Sequence, residues 1–151
     1  MQILRTNGAN EDFRKLVELL DENLWELYPE TMAKYVDGNI VDHDVHAVIL
    51  YYGNEPIACG CLRPFQDSAS VELKRMFVKK EYRGKGYSKE IVRELLRWSK
   101  EMNFETVCLE TGVKQPEAVN LYEKMGFVRT EPYGEYIGNP ESICMKHVIS
   151  I

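Results

Sequence analysis

The residues best equipped for chemistry stand between Met76 and Lys89. An apolar stretch ending in Met76, Phe77 and Val78 runs into a segment with Arg83, Gly84, Lys85, Gly86, Tyr87 and Ser88, and an amphipathic helical pattern follows at once. Glycines let backbone N–H groups approach a ligand, and a helix start adds unpaired donors and the positive end of the macrodipole. That combination makes an anion cradle. Five basic residues (Lys79, Lys80, Arg83, Lys85, Lys89) face a single acid, Glu81, in a chain of formal net charge -5. A local excess of that sign points to a phosphate-bearing ligand; the other reading is a tight strand-to-helix turn with solvated lysines. Two familiar phosphate loops do not fit. No third glycine follows Gly84 and Gly86 to complete a dinucleotide fingerprint, and Gly84-Lys85 is followed by Gly86 where a P-loop needs Ser or Thr.

The elements that must position this loop follow from periodicity. Residues 1–6 read as a strand, and Asn10 caps a helix over 12–27 whose Phe13, Leu16, Val17, Leu20 and Leu24 recur at helical spacing. Tyr28-Pro29 breaks it, and a short helix over 30–36 closes on Asp37-Gly38-Asn39. Strands follow over 46–52, 56–65 and 70–78. After the loop, Ile91, Val92, Leu95, Leu96 and Met102 line one face of a helix running to about Glu101, with Arg93, Glu94, Arg97 and Lys100 on its solvated face. A buried strand covers 106–111, interrupted by Gly112. Pro116 opens a further helix that Gly126 closes, and strands over 127–130 and 142–148 end the chain. The intervening loop, 131–140, is rich in glycine and aromatic residues. Adaptable backbone and large rings suit a site better than a core, so Tyr133 and Tyr136 are candidate acceptor contacts.

Length and composition agree with one globular domain over residues 1–151. No apolar run approaches a membrane span, and the N-terminus lacks the apolar core of a signal peptide. Cys59, Cys61, Cys108 and Cys144 form no CxxC pair, which favours structural thiols in a reducing cytoplasm over a metal or a disulfide. His43 and His46 are explained by a polar loop and a strand start, and no metal is assigned. An acidic chain whose basic residues gather at one loop argues against a nucleic-acid partner.

Arg83-x-x-Gly86-x-Ser88 resembles the acetyl-CoA loop of the GNAT family of N-acetyltransferases, Gln/Arg-x-x-Gly-x-Gly/Ala, with Ser88 departing at the last position. Arg75-Met76-Phe77-Val78 resembles the family strand that pairs with the pantetheine arm. Leu121-Tyr122-Glu123-Lys124-Met125-Gly126-Phe127 resembles the second signature. The matching regions span roughly 71–127 in order.

The resemblance implies an α/β fold with a mostly antiparallel mixed sheet, splayed at its centre and carrying helices on both faces. It also implies acetyl-CoA as the acyl donor. Met76, Phe77 and Val78 would then hold the pantetheine arm, and Arg83, Gly84, Lys85, Gly86, Tyr87 and Ser88 the pyrophosphate. Gln115 would touch the cofactor where many members carry Asn. In the family Tyr122 protonates the departing thiolate, although a seam-packed tyrosine fits the same pattern. Period-two alternation puts Glu72, Lys74, Met76 and Val78 on one face, and Glu72 falls at the offset where histone-type members keep their general base. An ammonium must lose a proton before it attacks a thioester. Glu72 either takes that proton, directly or through water, or pairs with Lys74 or Arg75, or fixes substrate only. The helices after residue 12 would wall the acceptor site, making Trp25, Tyr28 and Tyr35 candidate contacts or core residues. The implied reaction is acetyl transfer to a primary amine, of a small molecule first and of a peptide N-terminus or lysine second. A non-catalytic acyl-CoA sensor is the rival from another class. Edge strands and the last hairpin offer surfaces for a homodimer.

Overall fold

The computed structural model describes residues 1–30, 44–65 and 69–149. The helix expected over 30–36, its closing turn, Tyr35 and His43 lie, Glu30 apart, outside them. Seven strands form one mixed sheet in the order β1-β2-β3-β4-β5-β7-β6. They are β1 (Gln2–Asn7), β2 (His46–Tyr52), β3 (Glu55–Pro64), β4 (Ser70–Val78), β5 (Thr106–Gly112), β6 (Val128–Arg129) and β7 (Ser142–Val148). Three helices lying wholly among the described residues accompany them: α1 (Glu11–Leu27), α2 (Tyr87–Glu101) and α3 (Pro116–Lys124). Among the described residues no helix is long and apolar enough to cross a membrane. Two contact-dense units divide the chain: Met1–Cys61 with Arg75–Ile91, and Leu62–Lys74 with Val92–Ile151.

The first unit is built on α1. Asn10 caps it as expected, its side chain accepting from the Phe13 N–H at 3.0 Å. Phe13, Leu16, Val17 and Leu20 then fall on one face and are buried with Val45, Ala47, Ile49, Cys59, Cys61 and Phe77. Each such side chain contributes about 1.5–3 kcal/mol of apolar burial, so this stripe anchors the helix. β1 pairs antiparallel with β2 from Gln2↔Tyr51 to Asn7↔His46. The Tyr51 hydroxyl donates to Asp12 of α1 at 2.7 Å.

In the second unit β4 pairs parallel with β5 from Ser70↔Thr106 to Leu73↔Leu109, and β5 pairs antiparallel with β7 along its whole length. Val107 and Leu109 are buried while Cys108 and Glu110, alternating with them, are half-exposed, so one face of β5 is core and the other is open. Phe127 is buried, and the expected strand over 127–130 shortens to Val128–Arg129. At α3 the left-handed turn falls on Gly126, φ 93, where an added Cβ would also meet the His147 ring at 2.9 Å.

Two expectations are corrected here. Glu94 is not on a solvated face: it is 9% exposed and bonds Arg97 one turn on. Strict alternation also fails along β4, because Arg75 stands at φ 59. A left-handed residue inside a strand turns the pleat, so the side-chain parity of Glu72 and Lys74 does not carry through to Met76 and Val78.

Candidate active site

The basic loop belongs to the first unit. Lys80–Tyr82 make one 3-10 turn, closed by the Arg83 N–H on the Lys80 carbonyl at 3.3 Å. Gly84 and Gly86 then take φ 78 and 85, which only glycine adopts without strain. A Cβ at either position would meet nothing within 4 Å, so conformation rather than crowding calls for glycine and the space above the loop is open. The first amides of α2 have no carbonyl ahead of them in the helix. Lys80, Arg83, Lys85 and Lys89 are exposed around this turn. Together they form a positive, donor-bearing turn suited to a phosphate.

Not every candidate side chain is turned to that task. The Arg83 Nε donates to the Val78 carbonyl at 2.8 Å and its guanidinium lies 5.5 Å from the Phe77 ring centre, so this arginine braces the strand-to-loop corner. Phe77 packs into the α1 core, Val78 is buried and Met76 is half-buried. Lys85 sits over the Tyr82 ring at 5.8 Å, and Tyr87 lies 6.4 Å from the same ring. Ser88 is half-buried in the first turn of α2. Trp25 is 41% exposed on α1, whereas Tyr28 is buried and closes that helix through its N–H to Leu24 at 2.8 Å.

The second unit gathers the titratable residues. Glu72 on β4 stands opposite Cys108 on β5, and Glu110 lies two residues beyond Cys108, opposite Cys144 on β7. Two-residue spacing keeps side chains on one face, so Glu72, Lys74, Cys108, Glu110 and Cys144 share the open face of these strands. The aromatic loop, with its 3-10 turn at Gly134–Tyr136, folds onto it. The Tyr133 hydroxyl donates to Glu72 at 3.0 Å, and the Lys74 ammonium donates to the Tyr136 hydroxyl at 3.0 Å. Tyr133 stands edge-on to Phe65 at 5.1 Å and to Tyr136 at 5.5 Å. Under this cover Glu72 is 5% exposed. The sequence candidates Glu72, Tyr133 and Tyr136 therefore come together.

Glu110 was not among those candidates. Its signal was a charged residue inside an otherwise apolar buried strand. Burial pushes its carboxyl above the usual range, the Ser142 hydrogen bond and the Lys74 charge oppose that, and Glu72 and Glu135 add to it. Tyr122, on the buried face of α3, stands edge-on to Phe127 at 5.7 Å. Burial and then the charge of Glu110 push its phenol well up, so its proton stays in place at neutral pH. Tyr133 and Tyr136 are raised too, by burial first and then by the charge of Glu72. Gln115 occupies the N-cap position of α3 with no side-chain cap bond, and its N–H reaches the Gly112 carbonyl at 3.0 Å. The cluster thus holds the buried Glu72, the half-buried Glu110, the Lys74 ammonium and phenols that keep their protons: the means to take a proton at one point and release one at another.

The acetyltransferase (GNAT) family model matches residues 11–127. The chain is 27% identical to an IAA acetyltransferase of Azospirillum brasilense over 145 residues, 95% of each chain. Among solved structures it is similar to a GNAT family acetyltransferase of Elizabethkingia anophelis with acetyl-CoA bound. That TM-score is 0.71 at 19% identity, covering 97% of each chain. A Bacillus subtilis acetyltransferase in complex with CoA gives 0.70 at 16% identity over 99% of each. These neighbours carry the fold, and the family match covers most of the chain. It belongs to the GNAT family and is an acetyl-CoA-dependent N-acetyltransferase.

Proposed function

We propose that this enzyme transfers acetyl to a primary amine of a small molecule by direct attack within a ternary complex. The observation that carries the reading is the cluster of Glu72, Glu110 and Lys74 under the rings of Tyr133 and Tyr136, in the same unit as Tyr122. The exposed loop with Gly84 and Gly86 would hold the pyrophosphate of acetyl-CoA and residues 76–78 its pantetheine arm. An amine arrives as ammonium. One proton passes to a carboxylate, the freed nitrogen forms a bond to the thioester carbon, and the tetrahedral intermediate breaks its C–S bond to expel the CoA thiolate, which Tyr122 protonates; the second proton, lost by the acylated nitrogen, restores the Tyr122 phenol. The products are the N-acetyl amine and free CoA.

Glu110 is the carboxylate whose acidity burial has moved toward neutral pH, the direction a general base needs. Glu72, held by Tyr133, orients the ammonium and shares the proton. The burial that raises Tyr122 also disfavours a free phenolate, so its proton moves only as charge develops on sulfur. A lining of edge-packed rings over two carboxylates suits a compact cation better than an extended chain.

Free-thiol release from acetyl-CoA across polyamines, amino acids, aminoglycosides and short peptides, with Tyr122→Phe alongside, tests this reading. Turnover confined to one class of small amine, and lost in the variant, is the expected result. Turnover of peptides alone overturns the small-molecule acceptor. Binding of acetyl-CoA with no turnover on any amine makes the chain a sensor.

A further inference from the structure

Arg75 combines several unusual features. It is a non-glycine residue at φ 59 within a strand, and its side chain is 6% exposed. Its Nη1 donates to Asp21 of α1 at 2.7 Å, while among the described residues its buried Nη2 has no hydrogen-bond partner. Its carbonyl accepts from the buried Cys59 thiol at 3.3 Å. Each feature is unfavourable alone: a left-handed side-chain-bearing residue, a buried cation and an orphan donor. Glycine would take the same backbone conformation freely. Freedom is what Arg75 removes, because the ion pair to Asp21 and the thiol contact hold the kink from both ends of the residue. A buried ion pair is weak evidence for a role in stability, whereas strain that persists because its surroundings over-determine it is characteristic of functional sites.

The kink also has a telling place. The parallel register of β4 with β5 ends at Leu73↔Leu109, two residues before Arg75, and Met76, Phe77 and Val78 follow directly after it. We propose that Arg75, clamped to Asp21, is a positioning residue for the donor: it locks β4 in the kink that presents the backbone of residues 76–78 to the pantetheine arm of acetyl-CoA. The proposal rests on acetyl-CoA being held by these residues and adds the pair that sets their geometry. Asp21 makes α1 part of the donor site's framework, although its own carboxylate touches no ligand.

The test compares two ligands by calorimetry in Asp21→Asn, Arg75→Gly and Arg75→Lys. Adenosine 3′,5′-bisphosphate offers phosphates to the loop without an arm, whereas acetyl-CoA offers both. Asp21→Asn and Arg75→Gly should weaken acetyl-CoA on the order of tenfold and lower kcat, since small misplacements of a reacting group are costly. Binding of the bisphosphate should stay unchanged, and Arg75→Lys should recover part of the loss. Wild-type acetyl-CoA affinity and kcat in folded variants overturns the proposal, as does an equal loss for both ligands, which marks a general structural effect. Should Arg75→Gly fail to fold, Asp21→Asn carries the same comparison with the kinked residue intact. A wild-type protein that binds neither ligand instead overturns the donor-site reading itself.

Discussion

The basic loop of the first unit and the tyrosine-covered cluster of the second handle charge in opposite ways. In the loop the charges are exposed and the backbone does the shaping, through Gly84 and Gly86 at positive φ and the free amides at the start of α2. In the cluster the two carboxylates stand on strands, and charge is managed by burial: Glu72 is covered, Glu110 is raised, and the phenols of Tyr122, Tyr133 and Tyr136 are held protonated. Holding a phosphate and moving a proton need different surroundings. A phosphate is captured by converging donors and a positive field at the surface. A proton carrier is tuned by leaving water, since desolvation moves its pKa.

The contrast breaks most sharply at Tyr122. Tyr122→Phe should lower kcat by about 10²–10³-fold, in the range typical of a lost general acid, while acetyl-CoA affinity by calorimetry is unchanged. An unaltered kcat with weakened binding would make Tyr122 part of the binding half. At Gly86 the reverse is expected. Gly86→Val forces a branched residue to φ 85, with open space but unfavourable backbone, and should weaken acetyl-CoA by about tenfold with kcat at saturation retained. The same binding should weaken as salt is raised, because the cations are exposed and screened.

Glu110 sharpens the comparison through pH. A base works deprotonated, so a raised carboxyl puts the acid limb of kcat above that of an ordinary glutamate, and Glu110→Gln should remove that limb. Stability has a definite sign as well. A raised folded pKa favours the native state at acid pH, and that advantage is lost as pH rises through it. Glu110→Gln should therefore melt above wild type at neutral pH, and the gap should close as pH falls below 4.5, the ordinary glutamate value. Unchanged melting at both pH values would show that burial does not raise the Glu110 carboxyl.

The smallest effect belongs to neither half. Tyr51→Phe removes the bond to Asp12 and should cost about 1 kcal/mol in urea unfolding with kcat and acetyl-CoA affinity intact. Burial and Asp12 push the Tyr51 phenol from 10.0 up to about 12, so its contribution is complete below pH 10 and is lost as pH rises through the folded value.

The resemblance read from the sequence matched the family found by comparison, and the elements around the loop were legible because their signals are local. Asn10 before an apolar helical stripe, two glycines between a strand and a helix, and Pro116 opening α3 each act within a few residues. Four points were not legible. Glu110 read as a strand residue because its neighbours on the open face, Glu72 and Cys144, come from other strands. The bonds that join Tyr133 to Glu72 and Lys74 to Tyr136 link residues 61 and 62 positions apart, which no local pattern shows. Glu94 repeated the helical pattern of a solvated face, yet packing covers it. The kink at Arg75 defeated the period-two reading, because nothing in the flanking residues announces a left-handed arginine; Asp21 and Cys59 support it from elsewhere in the chain.

By itself, then, the sequence determined the order of strands and helices along the chain, the glycine turn of the basic loop and the sign of its charge, since backbone propensity and local charge are properties of neighbours along the chain. Only the tertiary structure decided which carboxylates share a face, which phenols keep their protons and where β4 bends. Burial, strand register and ion pairing between distant residues set those outcomes, and none exists until the chain has folded.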